Sequence, residues 1–147
     1  MKLSTRTRYG TRALLELALH EGRSPVFLKD IAARQQISLA YLEHIIAPLI
    51  SGGIIRSTKG PKGGITLAKK PADIKMLEIT QLLEGSLAPV ECVDHPEMCQ
   101  RSKQCVTRDI WEELKDAMDG VLQSTTLQDL ATRQKKKGLP EKSMYYI

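Results

Sequence analysis

The order of apolar patterns in its first half constrains the fold of this 147-residue chain more than any other feature. Three segments repeat apolar residues every three or four positions, which is typical of helices that bury one face. They span about 5–21, 28–35 and 39–51. Two short β-prone runs follow at 54–58 and 65–69, joined by a link rich in glycine and lysine. This order predicts a mainly α fold, a winged helix-turn-helix.

Candidate caps and core residues follow from the same pattern. Ser4 and Ser38 directly precede the first and third helices, where a serine side chain can accept a hydrogen bond from a helix N–H group. Pro48 lies within the third helix and should kink it or loosen its last turn. The residues expected to face the core are Ala13, Leu14, Leu17, Ala18, Ile31, Ala32, Leu39, Leu42, Ile45, Ile46 and Leu49.

The second half predicts a fourth helix over about 74–84, a long helix over about 107–123 and a short one over about 126–134. The long helix has an apolar stripe but no intrachain partner of equal length, so we expect it to pair with a second copy in a two-fold dimer. The stripe comprises Ile110, Trp111, Leu114, Met118, Val121 and Leu122. The predicted division is a winged helix-turn-helix domain (1–85), a cysteine loop (86–106), the dimerisation helix with a short C-terminal helix (107–134) and a flexible tail (135–147).

Charge is unevenly distributed between the two halves. Residues 1–75 contain 13 lysines and arginines against 5 acidic residues, whereas residues 76–147 contain 9 against 12, and the whole chain has a net charge of +5. A basic half attracts polyanions. The sequence has no apolar run long enough for a transmembrane helix and begins with a charged segment unlike a secretory signal, so we expect a cytoplasmic protein without a membrane partner.

The third helix is the predicted reader of double-stranded DNA. In a helix-turn-helix the second helix of the motif places its N-terminal residues against base edges in the major groove. Glu43 could accept a hydrogen bond from cytosine N4, although a solvated surface glutamate is an equally good interpretation. A basic, glycine-rich wing tip suits the minor groove or flanking phosphates. The predicted DNA contacts are Ser38, Ala40, Tyr41, Glu43, His44, Arg56, Lys59, Pro61, Lys62 and Arg8.

All three cysteines lie in one stretch, Cys92, Cys99 and Cys105, separated by six and five residues. Thiolates suit iron–sulfur clusters, zinc or copper(I), and an odd number of cysteines would leave one unpaired in a disulfide framework. His95, a carboxylate, or a ligand from outside the loop could complete a four-ligand site. Structural zinc is the alternative, although its cysteine pairs are usually closer in sequence. Three unligated thiols are a further alternative.

No pattern favours an enzyme. The three histidines are scattered, no nucleophile–base pair is evident, and the GPKGG sequence is too short for a phosphate-binding loop. We therefore predict a DNA-binding regulator rather than a catalyst, with an inverted-repeat site if two copies bind together.

Several segments carry a specific resemblance, namely MKLSTRTRYGTRALLELAL, IAARQQISLAYLEHIIAPLISGGII, KGPKGGITLAK and the three-cysteine loop before LKDAM. Over roughly residues 1–133 the chain resembles the IscR-like transcriptional regulators of the Rrf superfamily, which also includes NsrR and CymR. The resemblance implies a homodimeric repressor of iron–sulfur assembly genes that binds a [2Fe–2S] cluster through Cys92, Cys99 and Cys105. Nitric-oxide-sensing relatives bind [4Fe–4S], and CymR-like members lack these cysteines and work with a protein partner.

Two positions depart from the pattern of that family. Arg108 stands where a histidine supplies the fourth ligand in the best-known IscR proteins, and Arg8 stands where some relatives supply an acidic ligand from the partner subunit. The first cysteine gap is also one residue longer. Glu43 matches a family position linked to discrimination between types of DNA site. The fourth ligand is therefore open.

Overall fold

The computed structural model describes residues 2–138. Within that range the chain forms seven α-helices and one two-stranded sheet. The helices are α1 (Thr5–Leu19), α2 (Leu28–Gln35), α3 (Leu39–Ser51), α4 (Met76–Leu83), α5 (Glu91–Asp94), α6 (Val106–Ser124) and α7 (Leu127–Lys137). The strands are β1 (Ile55–Thr58) and β2 (Gly64–Leu67), and short 3-10 turns occur at Pro71–Asp73, Pro96–Met98 and Ser102–Gln104. The predicted mainly α winged helix-turn-helix is confirmed.

The wing is an antiparallel hairpin in which Ile55 pairs with Leu67 and Thr58 with Gly64. Val26, in the connection between α1 and α2, adds a bridge to the other edge of β2. Its N–H lies 3.0 Å from the Ile65 oxygen, and the Ile65 N–H lies 2.8 Å from the Val26 oxygen. The sequence pattern did not predict this bridge, which fixes the wing to the helical body.

The core lies between α1, α2, α3, α4, the hairpin and α7. The predicted core residues are buried with one exception, which is Leu39. Its side chain is 42% exposed, so the prediction that it faces the core is wrong. The physical reason is position: Leu39 is the first residue of α3, and a helical side chain tilts toward the N-terminus, where no earlier turn exists to pack beneath it.

α3 continues through Pro48 to Ser51. Its end is closed by a bond from the Gly52 N–H to the Pro48 oxygen at 2.9 Å and by the Ser51 hydroxyl, which donates to the Ala47 oxygen at 3.1 Å. The predicted caps are confirmed, since Ser4 accepts from the Thr7 N–H and Ser38 from the Tyr41 N–H.

α7 returns to the body of the molecule after α6. Leu127 and Ala131 are buried in the same core as α1 and α3. The turn between α6 and α7 is tied to the start of α4, because the Met76 N–H donates to the Thr125 oxygen and the Leu127 N–H to the Ile74 oxygen, each at 2.9 Å. The boundaries 1–85, 86–106 and 107–134 stay predictions, and α7 shares its core with the first of those segments.

α7 runs to Lys137, so it extends into the segment 135–147 for which the sequence predicts a flexible tail. The helix starts from a reciprocal cap in which Thr126 and Asp129 each accept the other's backbone N–H, at 3.0 and 2.9 Å. Residues 139–147 lie outside the described range. None of the helices in residues 2–138 combines the length and apolar character needed to cross a membrane.

Candidate functional site

The N-terminal end of α3 presents the predicted base-reading residues to solvent. Ser38, Ala40, Glu43 and His44 are exposed, and Tyr41 is half-buried. Ser38 accepts the Tyr41 N–H at 3.1 Å through its oxygen, which leaves the hydroxyl hydrogen free to donate to a phosphate. The exposed end of α3 therefore offers one hydroxyl, one carboxylate and one imidazole.

Tyr41 is held by Tyr9, a residue that the sequence pattern does not single out. The Tyr9 ring of α1 lies edge-on to Tyr41, with ring centroids 6.4 Å apart and an interplanar angle of 70°. The Arg12 guanidinium lies 5.5 Å from the centroid of Tyr9. Because the two tyrosines lie on different helices, no local spacing in the sequence indicates their contact. α1 thus supports α3, the predicted reading helix, directly, and it also carries the exposed Arg8.

The wing tip is exposed and basic. Arg56, Lys59, Pro61 and Lys62 are all exposed, and none of the three cations forms an ion pair with another residue of the described range. The tip turns where the Gly63 N–H donates to the Gly60 oxygen at 2.9 Å. A Cβ at position 63 would collide with the Thr58 carbonyl oxygen, so this turn requires glycine. The hairpin can present its cations to phosphates.

The cysteine loop (residues 86–106) contrasts with the wing because it contains several short helical segments, including α5, where the sequence predicted a loop. Ser102 is its only buried residue, and its hydroxyl donates to the Pro96 oxygen at 2.7 Å. Cys92 and Cys105 are half-buried and Cys99 is exposed, and all three are free thiols. The loop packs little apolar surface, so local hydrogen bonds define its shape.

Arg108 joins the two ends of this loop. Its Nε donates to the Cys92 carbonyl oxygen at 2.9 Å, and Nη1 lies 3.3 Å from the Glu112 carboxylate. The Arg108 side chain is only 15% exposed. Guanidinium has no lone pair to offer a metal, so at this position Arg108 holds the backbone of the first cysteine against the start of α6.

Cys105 is the N-cap residue of α6. A hydrogen bond from the Thr107 hydroxyl, 3.2 Å from the sulfur, together with the Arg108 backbone N–H, holds the pKa of the Cys105 thiol below its usual range. A lower pKa favours the thiolate, the form that binds metals. His95 Nδ1 lies 3.2 Å from a Glu97 carboxylate oxygen, and both side chains are exposed.

The donor set of the loop suits a soft metal or an iron–sulfur cluster, since it offers three free thiols and nearby imidazole and carboxylate groups. The arrangement does not gather them: among residues 2–138, no three Cys, His, Asp or Glu side chains lie close enough together to hold a metal ion. Binding would therefore require the loop to close, and the identity of a fourth ligand stays open.

A hydrogen-bonded junction next to the loop has no signal in the sequence, because it joins residues distant along the chain. Glu84, at the end of α4, accepts from the Ser4 N–H at 3.0 Å and from the Ser4 hydroxyl at 2.7 Å. The Thr7 hydroxyl also donates to Glu84, and Arg6 Nη2 donates to the Leu83 oxygen at 2.6 Å. The bonds from Thr7 and Ser4 hold the pKa of Glu84 below its ordinary value of 4.5.

Comparison with known proteins agrees with this architecture. The Rrf2 family model, described as an iron-dependent transcriptional regulator, matches residues 3–133. Protein rrf2 of Nitratidesulfovibrio vulgaris is 48% identical over 130 residues, which are 88% of this chain and 87% of that protein. The transcriptional regulator CymR of Bacillus subtilis is 38% identical over 147 residues and covers 100% of both chains. The structure of T. potens IscR, with 38% identity, has a TM-score of 0.77 and covers 99% of this chain and 97% of that one. This chain belongs to the Rrf2 family of DNA-binding transcriptional regulators.

Proposed function

We propose that this regulator is a cytoplasmic homodimeric repressor of iron–sulfur cluster assembly genes, which senses cluster supply through a [2Fe–2S] cluster bound by Cys92, Cys99 and Cys105. The observation that carries the proposal is the placement of three free thiols in a little-buried loop that directly follows the Glu84 junction with α1. A conformational change in this loop can reach the proposed DNA-binding residues through the contacts between Glu84 and α1.

The proposed DNA interface uses two elements. The N-terminal end of α3 enters the major groove, where Ser38 and Tyr41 contact phosphates and Glu43 accepts from cytosine N4. The wing brings Arg56, Lys59 and Lys62 to phosphates or the minor groove, with Pro61 at its tip. Ala40, His44 and Arg8 complete the proposed contact surface.

The proposed dimer is supported by the surface of α6. None of its residues is buried in the described chain, although its apolar stripe includes Ile110, Trp111 and Val121, all exposed. Exposure of these side chains to water is unfavourable, and packing against an antiparallel α6 from a second copy would bury them. A two-fold axis at α6 would present two reading helices to an inverted-repeat operator.

The proposed route of coupling runs through α1. Cys92, Cys99 and Cys105 would hold the cluster, which would cross-link their thiolates and so restrict the loop that begins at Ser86. The preceding residues, Leu83 and Glu84, hold the first turn of α1 through Arg6, Ser4 and Thr7. α1 in turn supports Tyr41 of the reading helix through Tyr9.

The fourth ligand in this proposal is one of three kinds. The first is His95, which lies between the first two cysteines, and the second is a carboxylate within the loop. The third is a group from outside the loop, either from the partner subunit or from solution. Arg108 and Arg8 cannot serve, because neither guanidinium can coordinate iron. A non-cysteine ligand makes a cluster more labile, which suits a sensor of supply.

The test is an anaerobic absorption spectrum of the full-length protein, with analysis of iron, sulfide and zinc, followed by DNA binding with and without the cluster. The proposal expects a coloured protein with near-equal iron and sulfide and a visible band shape typical of [2Fe–2S]. A [4Fe–4S] spectrum would favour a nitric-oxide or redox sensor of the same family. A colourless protein that retains zinc after reconstitution with iron and sulfide would contradict the proposal and favour a structural zinc site.

A further inference from the structure

Packing within the fold does not account for Leu39, the exposed leucine at the start of α3. Leu39 is 42% exposed and is absent from the apolar side chains that pack against the core. It is followed by Ala40, which is also exposed. Two consecutive apolar side chains therefore occupy the end of the helix that, in a helix-turn-helix, points at base edges.

We propose that Leu39 reads the C5-methyl group of a thymine in the major groove and is a determinant of operator sequence. In the major groove the thymine methyl is the apolar feature that distinguishes one base pair from another; the other distinguishing groups are hydrogen-bond donors and acceptors. A leucine side chain forms no hydrogen bonds, so the base-edge group that it matches is that methyl group. Ala40 adds a smaller apolar surface beside it.

The polar residues of α3 complement this assignment. Glu43 lies four positions after Leu39, so the two side chains lie on the same side of the helix. Glu43 can only accept hydrogen bonds and matches the cytosine amino group, whereas Leu39 matches a methyl. The end of α3 therefore favours a half-site in which a thymine is close to a C·G pair. This inference rests on the proposed use of α3 as the reading helix, but it requires no cluster.

The chain provides a matched control for Leu39. Ile50 is another aliphatic residue of α3, is 39% exposed and lies at the opposite, C-terminal end of the same helix. An Ile50→Ala change removes a similar exposed apolar side chain away from the base-reading end. Both variants leave the buried residues of α3 intact, and thermal unfolding followed by circular dichroism checks that each folds. Leu39→Met is a third variant that keeps apolar bulk at the site.

The experiment selects a binding duplex from a randomised DNA library with the full-length protein. Each thymine position is then replaced by deoxyuridine in both half-sites of the inverted repeat at once, which removes the methyl and keeps the base pair. We expect one position at which the wild-type protein loses about four-fold in affinity per half-site, the effect of uncovering one methyl-sized group. Leu39→Ala should bind the thymine duplex about as weakly as the wild type binds the deoxyuridine duplex, with little further loss on replacement.

Ile50→Ala and Leu39→Met should keep the wild-type sensitivity to deoxyuridine. A wild-type protein insensitive to every replacement would overturn the proposal, as would Leu39→Ala that retains full sensitivity, since another residue would then read the methyl. A selection that recovers no duplex would contradict the proposed DNA interface itself. A recovered duplex whose affinity depends on Glu43 but on no methyl would contradict only the role of Leu39.

Discussion

The proposed DNA-binding head (residues 2–85 together with α7) and the cysteine loop (residues 86–106) are built by opposite means. The head buries apolar side chains from five helices and both strands around one core. The loop has one buried residue, Ser102, and is shaped by short-range hydrogen bonds and by Arg108. A region with few buried apolar contacts opens at low free-energy cost, so a ligand can set its conformation while the head stays folded.

The largest difference in the free energy of unfolding between variants of the two regions is expected when a cavity is made in the core. Ile45→Ala removes a fully buried side chain from α3 and should lower the free energy of unfolding by about 2–5 kcal/mol. Cys99→Ser in the exposed part of the loop should change it by no more than about 0.5 kcal/mol in the metal-free protein. Urea unfolding of both variants measures the difference. A Cys99→Ser protein as unstable as Ile45→Ala would show that the loop contributes to the stability of the core.

The Glu84 junction lies at the boundary between the two regions and should have an intermediate effect. Glu84→Gln weakens the charge-assisted bonds from Ser4 and Thr7 and should lower the free energy of unfolding by about 1–3 kcal/mol at neutral pH. The control is Glu78→Gln, which breaks an exposed pair with Lys69 and should cost at most about 1 kcal/mol. Urea unfolding also measures this difference, and equal losses would argue against a special role for Glu84.

The same variant has a defined pH dependence. The pKa of Glu84 is lowered in the folded protein, so its contribution to stability is fully present above the ordinary value of 4.5 and is lost as pH falls through the lower folded pKa. The stability difference between wild type and Glu84→Gln should therefore shrink as the solution is acidified below 4.5. A difference that is constant or grows on acidification would show that the carboxylate charge is not responsible.

The wing and the cysteine loop should also differ in their electrostatic contribution to DNA binding. Lys59→Ala removes an exposed wing cation from each protomer of the proposed dimer and should reduce the slope of log affinity for DNA against log salt by about two. Lys103→Ala removes a cation from the cysteine loop that is also exposed and should leave that slope unchanged. Fluorescence anisotropy over a salt series provides the measurement. Equal reductions in the two variants would place the loop at the DNA surface.

The smallest expected effect is local to the loop. Arg108→Gln loses the guanidinium bond to the Cys92 oxygen, so the labelling rate of Cys92 by a thiol reagent should rise about five-fold, which corresponds to about 1 kcal/mol for one hydrogen bond. Arg101→Gln, at an exposed position of the same loop, is the control and should label at the wild-type rate. An unchanged rate for Arg108→Gln would mean that Arg108 does not fix this segment.

The head was largely predictable because its signals are local. Helical spacing of apolar residues, the Ser4 and Ser38 caps and the glycine-rich wing tip each act within a few residues. What the pattern missed depends on tertiary contacts or on helix ends. The Glu84 bonds with Ser4 join residues that lie at opposite ends of the segment 2–85 in the sequence. Leu39 fits the helical spacing, but it lies at the start of a helix, where no earlier turn covers it.

For the loop, the sequence predicted the type of ligand but not the structure of the backbone. The cysteine spacing indicates a soft-ligand site, but without a repeating apolar pattern it does not determine the backbone, which here includes α5 and two 3-10 turns. Arg108 likewise has no local signal for its contact with Cys92, because the loop itself brings the two together.

Amide hydrogen exchange of the full-length protein, compared with and without the reconstituted cluster, tests the claim that the cluster orders the loop while the head stays folded. In the cluster-free protein we expect slow exchange in α1, α3 and α4 and fast exchange throughout residues 86–105, because only the head has a buried core. Loading should slow exchange in residues 86–105 and at the first turn of α1, while the buried part of α3 stays unchanged. A loop that is already protected without the cluster, or one whose exchange does not change on loading, would contradict the claim.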